Sequence, residues 1–176
     1  MPRWRRDASE EVETPATIDV RPLEEDDRPW ADEVELRSWG ERNVVRLGES
    51  VDPTVLPGFV AWLGGERAGL LSYAIRGDEC EVVTVTSLHE GRGIARALLD
   101  AVRDAAVAAG CRRLWLTTTN DNMRALAVYQ RWGMDIAALH RHTVTEARRR
   151  LKPSLPERGA SGIVLAHELE LELRLK

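Results

Sequence analysis

The chain has 176 residues, of which 43% are hydrophobic and 31% charged, with a formal net charge of -4 and a pI near 5.7. That length supports one well-buried core rather than two comfortable domains. The acidic balance argues against a chain that coats nucleic acid, while leaving room for a local basic cleft that attracts an anionic ligand.

Residues 1 to 15, MPRWRRDASEEVETP, mix Arg, Asp and Glu with two prolines and show no periodic apolar face. They predict a mobile tail ahead of a single domain over 16–176. This stretch has no uninterrupted apolar run of the kind a signal peptide or membrane helix needs, so a cytoplasmic protein with no membrane partner is expected. ATIDVRPL, from Ala16, alternates like a first strand, and EEDDRPWADEVELRSWGE reads as a helix with an acidic first turn. Its Trp30, Leu36 and Trp39 are expected in the core. A loop around Val51 to Pro57, broken by Asp52, Pro53 and Pro57, leads to three apolar runs near 58–63, 67–76 and 79–87. Gly64-Gly65 and Gly77-Asp78 punctuate them, which predicts an antiparallel meander.

The third run feeds SLHEGRGIARALL. Gly91 and Gly93 let the backbone pass close to a ligand, and the helix predicted over Arg92 to Ala109 points free N–H groups and its positive end at that place. Ile94, Leu98, Ala101, Val102 and Ala105 share one face of this helix, opposite Arg92, Arg96, Asp100, Arg103 and Asp104. Gly110 ends it, and CRRLWLTTT follows as a strand that a right-handed crossover sets parallel to the strand before the helix.

TTTNDNMRALAVYQRWGMD then supplies a polar cap, a helix of about three turns and Gly133 as its stop. MDIAALHRH predicts a strand, residues 143 to 152 a short helix, and KPSLPERGASG a loop. GIVLAHELELELRL alternates as a closing strand with one solvated face, long enough to pair across a homodimer. Cys80 and Cys111 lie at strand positions without metal-ligand spacing and are expected as buried free thiols, with no metal site. Only Lys152 and Lys176 are lysines, a bias that reflects genome composition more often than function and carries no chemical weight.

HEGRGIARALL lacks the GK[ST] of a P-loop, and Arg96 stands where the dinucleotide fingerprint needs a small residue. Taken alone, the motif reads by default as a glycine turn joining strand to helix. Asn122, Ala125 and Tyr129 change that weighing. They lie at i, i+3 and i+7, so Asn122 and Tyr129 point the same way, on the order of 10 Å apart, and can address two parts of one long ligand. Taken singly, Asn122 is a helix cap and Tyr129 an amphipathic edge residue.

Together, EGRGIARALL and LWLTTTNDNMRALAVYQRWGM resemble the acetyl-CoA motif and the motif after it in the GNAT superfamily of N-acetyltransferases. The pattern (Q/R)xxGx(G/A) falls at Glu90, Gly93 and Ala95. TTNDN, YQ, RLKPSLP and HELELEL further resemble a bacterial subfamily. The resemblance implies a mixed α/β fold: a mostly antiparallel central sheet, helices on both faces and a splayed parallel strand pair.

It also implies acetyl-CoA as co-substrate, with backbone groups of Val85, Thr86 and Ser87 on the pantetheine arm. The N–H groups of Arg92, Gly93, Ile94, Ala95 and Arg96 would cradle the pyrophosphate, Asn122 would contact the cofactor, and Tyr129 would protonate the departing thiolate. Glu90 departs from the pattern, placing an acid beside a diphosphate; it is expected to turn to solvent, with Arg92 and Arg96 offsetting the repulsion.

A primary amine must lose a proton before it attacks a thioester. Glu81 and Glu79 are the candidate bases, ahead of His89, His140 and His142, although each of these reads first as a solvated strand-end charge. The expected activity is acetyl transfer to an amine, small-molecule or peptide, by direct attack in a ternary complex without a metal. The competing expectation is a non-catalytic acyl-CoA-binding or sensor domain.

Overall fold

A computed structural model describes residues 17–176; the predicted tail lies outside the described residues. Nine strands and four α-helices follow in the order β1 (Ile18–Pro22), α1 (Arg28–Trp39), β2 (Val44–Arg46), β3 (Glu49–Val51), β4 (Gly58–Leu63), β5 (Glu66–Arg76), β6 (Glu79–Ser87), α2 (Ile94–Ala108), β7 (Arg113–Thr119), α3 (Met123–Trp132), β8 (Asp135–His140), α4 (Thr143–Arg150) and β9 (Glu168–Arg174). Seven strands make one sheet in the order β1-β4-β5-β6-β7-β9-β8. Every neighbouring pair in it is antiparallel except β6 with β7.

Alternation along β4 sends its side chains to two different layers. Val60 packs with Ala31 and Val34 of α1. Ala61 joins Ile94, Leu98, Leu99 and Val102 of α2 in the main core. Helices therefore cover both faces of the sheet. The α2 face is close to its sequence pattern, with Leu99 and Ala106 buried in place of the expected Ala101 and Ala105. Helix and sheet approach closely at Gly69, where an added Cβ would lie 2.4 Å from Ile94 Cγ2 and 3.1 Å from Leu98 Cδ1. Cys80 and Cys111 are free and buried, and burial pushes the Cys80 thiol up to about 12.

Several boundaries differ from the sequence pattern for local reasons. A 3-10 turn over Glu25–Asp27 precedes α1, which begins at Arg28 with Pro29 in its first turn. Leu36 and Trp39 are 54% and 42% exposed rather than in the core, because α1 buries Ala31, Val34 and Glu35 instead. The β2–β3 hairpin stands apart from the main sheet, and its turn needs positive φ at both Leu47 (47°) and Gly48 (77°). That geometry normally recruits Asn-Gly or Asp-Gly, so Leu-Gly gave no hairpin signal.

The closing strand starts at Glu168, not Gly162. Just before it, Asn120 Oδ1 accepts from the N–H groups of Ala166 and His167, which holds the chain out of the ladder. Nor is the charged face of β9 solvated. Glu168 is 5% exposed, and Glu170 and Glu172 both pair with Arg113, which holds their carboxyls below the usual range against the opposing effect of burial. No described helix is long and apolar enough to cross a membrane.

Candidate active site

Strands β6 and β7 pair only where Glu79, Cys80 and Glu81 face Arg113, Leu114 and Trp115. Beyond Glu81 they part, although β6 runs on to Ser87 and β7 to Thr119. Two cavities open along this parting. An outer cleft of about 420 Å³ lies between the Ser87–Arg96 turn and α3; an inner cavity of about 230 Å³ lies between the splayed strands, the β2 strand and the residues after α4. Val85, Asn122, Ala125 and Tyr129 line both, so the two spaces meet at α3.

The outer cleft suits an anion. Gly93 caps α2 in the left-handed region (φ 80°), a conformation that costs a side-chain-bearing residue about 1–2 kcal/mol. The first bond into the helix runs from Ala97 N–H to Gly93 O at 3.0 Å, which leaves the amides of Ile94, Ala95 and Arg96 without a helical acceptor. Val85, Ser87, Gly93, Ile94, Ala95 and Arg96 line the cleft. Two expected residues, Thr86 and Arg92, do not: Thr86 alternates away from Val85 and Ser87 along β6.

Glu90 does turn to solvent, with its side chain 74% exposed, and at the mouth of the cleft it pairs with Arg124 of α3 rather than with the expected Arg92 or Arg96. Asn122 caps α3 through Oδ1, which accepts from Ala125 N–H at 3.2 Å, and it also faces both cavities. Tyr129 is 8% exposed at their junction, and burial pushes its hydroxyl up to about 12. The phenol therefore stays protonated at neutral pH.

Glu81 stands elsewhere. It is 4% exposed and lines neither cavity; its two oxygens accept from Arg46 Nε and Nη2 at 2.5 and 2.7 Å. Burial alone would lower the Arg46 pKa, but the hydrogen bonds and charge of Glu81, with those of Glu49, carry it above the ordinary arginine value. Glu79 lies 3.4 Å from Arg113, and His140 Nε2 lies 2.7 Å from Glu170. His89 lines the outer cleft, and His142 lies exposed at the start of α4 with its N–H on His167 Nδ1.

The carboxylate that does face the inner cavity is Glu168 at the start of β9. Arg46, Lys152 and Trp39 line the same space. Sequence reasoning missed Arg46, Arg124, Lys152 and Glu168. Glu168 sat in an alternating run that reads as a solvated face, and the rarity of lysine was the one visible sign of Lys152. A further buried carboxyl, Glu35 of α1, is 1% exposed. Its Oε1 accepts from Thr84 Oγ1 at 2.6 Å, while among the described residues Oε2 has no hydrogen-bond partner.

Comparison with known proteins converges on one family. The sequence model of the acetyltransferase (GNAT) family matches residues 16–134. An uncharacterised protein of Bacillus subtilis, YdhI, is 43% identical over 105 residues, which cover 60% of this chain and 65% of that protein. Streptothricin acetyltransferase of Streptomyces lavendulae is 35% identical over 80 residues, 43% of this chain and 42% of its own length. The matches thus span about two thirds of the first relative and under half of the second. A solved acetyltransferase of Bacillus subtilis in complex with CoA shares the fold at a TM-score of 0.64 and 20% identity, covering 91% of this chain and 100% of that one.

Proposed function

The chain belongs to the GNAT acetyltransferase family, and we propose that it moves an acetyl group from acetyl-CoA to an amine by direct attack in a ternary complex. One observation carries this reading: Tyr129 stands where an anion-suited cleft meets a separate inner cavity. A long cofactor with its diphosphate at Gly93–Arg96 would bring its thioester between the splayed strands, and an amine in the inner cavity would meet it there. The solved relative with CoA supports the same choice of donor.

In this reading the amine nitrogen attacks the thioester carbonyl carbon, the carbon–sulfur bond breaks, and an amide and a thiolate form. Tyr129 gives its proton to the sulfur and regains one from the nitrogen. The second proton that the ammonium must lose leaves through the inner cavity, where Glu168 is the carboxylate in reach of an acceptor. Glu81 acts by holding Arg46, and so the hairpin wall, rather than as a base. The rate gain comes largely from holding amine and thioester together.

Calorimetry with acetyl-CoA, followed by thiol release with a broad amine panel, tests the proposal. Binding with turnover is expected. Binding without turnover on any amine would leave an acyl-CoA-binding or sensor domain, and no binding would remove the reading altogether.

A further inference from the structure

The inner cavity holds two buried charges that no opposite charge among the described residues matches. Lys152 is 7% exposed and Glu168 is 5% exposed, and both line the cavity. Lys152 Nζ donates to Trp39 O at 2.9 Å, which uses one of its three protons. Glu168 Oε2 accepts from Leu47 N–H at 2.9 Å, and Oε1 has only a long contact, 3.5 Å, from Thr117 Oγ1. Among the described residues neither takes part in an ion pair, with each other or with any other group, and the third charge lining the space, Arg46, is spent on Glu81 and Glu49.

A buried ammonium or carboxylate is costly unless an opposite charge reaches it. One space that presents a free cation and a free anion is complementary to a ligand carrying both signs. We infer, on the acetyl-transfer reading above, that the acceptor is a small aminocarboxylate: its ammonium is received at Glu168 and its carboxylate at Lys152. A peptide N-terminus offers the first charge without the second, and so does a simple amine. Lys152 and Glu168 both lie beyond the 16–134 match to the family, so this chain's own C-terminal part supplies the selectivity. The use of lysine here, in a chain whose basic residues are otherwise almost all arginine, fits a compact ammonium aimed at one carboxylate.

The test is acetyl transfer, detected by mass, to free α- and ω-amino acids, each set against its amide, its decarboxylated amine and a C-terminally amidated dipeptide bearing it at the N-terminus. The free acids should exceed their amides by about tenfold or more in kcat/KM, the scale of one charge-assisted hydrogen bond. Lys152→Gln should erase that preference while acetyl-CoA affinity stays unchanged, and Lys152→Arg should restore part of it. Equal or better use of the amides, simple amines or dipeptide amides would overturn the inference and leave acetyl transfer standing, as would an unchanged preference in a folded Lys152→Gln protein. Absence of acetyl-CoA binding, or of transfer to any amine, would instead overturn the reading on which the inference rests, and the inference with it.

Discussion

Arg46 and Glu81, 35 residues apart in the chain, close on each other through two hydrogen bonds of 2.5 and 2.7 Å. The pair fastens the isolated β2–β3 hairpin to β6 at the residue where β6 and β7 begin to part. Removing one partner strands the other's buried charge, so Glu81→Gln and Arg46→Met should each destabilise the fold by about 3–5 kcal/mol. Arg46→Met combined with Glu81→Leu should recover most of that loss. Urea denaturation measures all three. In the folded fraction of Glu81→Gln the pH–rate profile should keep its shape; a lost ionisation would return Glu81 to the role of base.

Tyr129→Phe removes the hydroxyl at the junction and keeps the ring. Thiol release should fall by about a hundredfold or more, in line with loss of a positioned proton donor, while calorimetry shows acetyl-CoA bound as before. Equal losses in both would make Tyr129 a packing residue. With the hydroxyl pushed up to about 12, its own ionisation should not cut the rate as pH rises to about 10.

The Glu90–Arg124 pair crosses an exposed cleft mouth, where water and salt screen its charges. Glu90→Gln should therefore change acetyl-CoA affinity by less than about tenfold. Arg124→Ala leaves the acid unopposed beside the proposed diphosphate site and should weaken binding, more at low ionic strength than at high. The double variant should bind more tightly than Arg124→Ala alone. If the three affinities simply add, the pair does not act as a unit.

Burial raises the Glu35 carboxyl above its ordinary range, against the opposing hydrogen bond from Thr84. A carboxyl with a raised pKa in the fold gives its full contribution to stability below the unfolded value, and that contribution is lost as pH rises through the folded one. Stability should thus decline as pH climbs above the ordinary carboxylate range. Glu35→Gln should flatten that slope and stabilise the protein at neutral pH; thermal unfolding at pH 5 and pH 8 reads the difference.

The sequence by itself determined the meander, the glycine turn, α2 and the α3 face. Each rests on interactions between residues close in the chain: alternation along a strand, helical spacing, and glycines at caps and turns. Gly93, Asn122 and Tyr129 were legible for that reason, and the pattern at Glu90 showed where an acid needed a partner. Tertiary structure alone decided what each charge meets. Arg46 came from a hairpin without the usual turn residues and claimed Glu81, which the sequence offered as a base. Arg124 neutralised Glu90 from 34 residues away. Glu168, one of three glutamates in an alternating run, became a buried wall of the inner cavity because β9 pairs between β7 and β8. An acid's role depends on its neighbours across the fold, and those pairings leave no period or spacing in the chain to read.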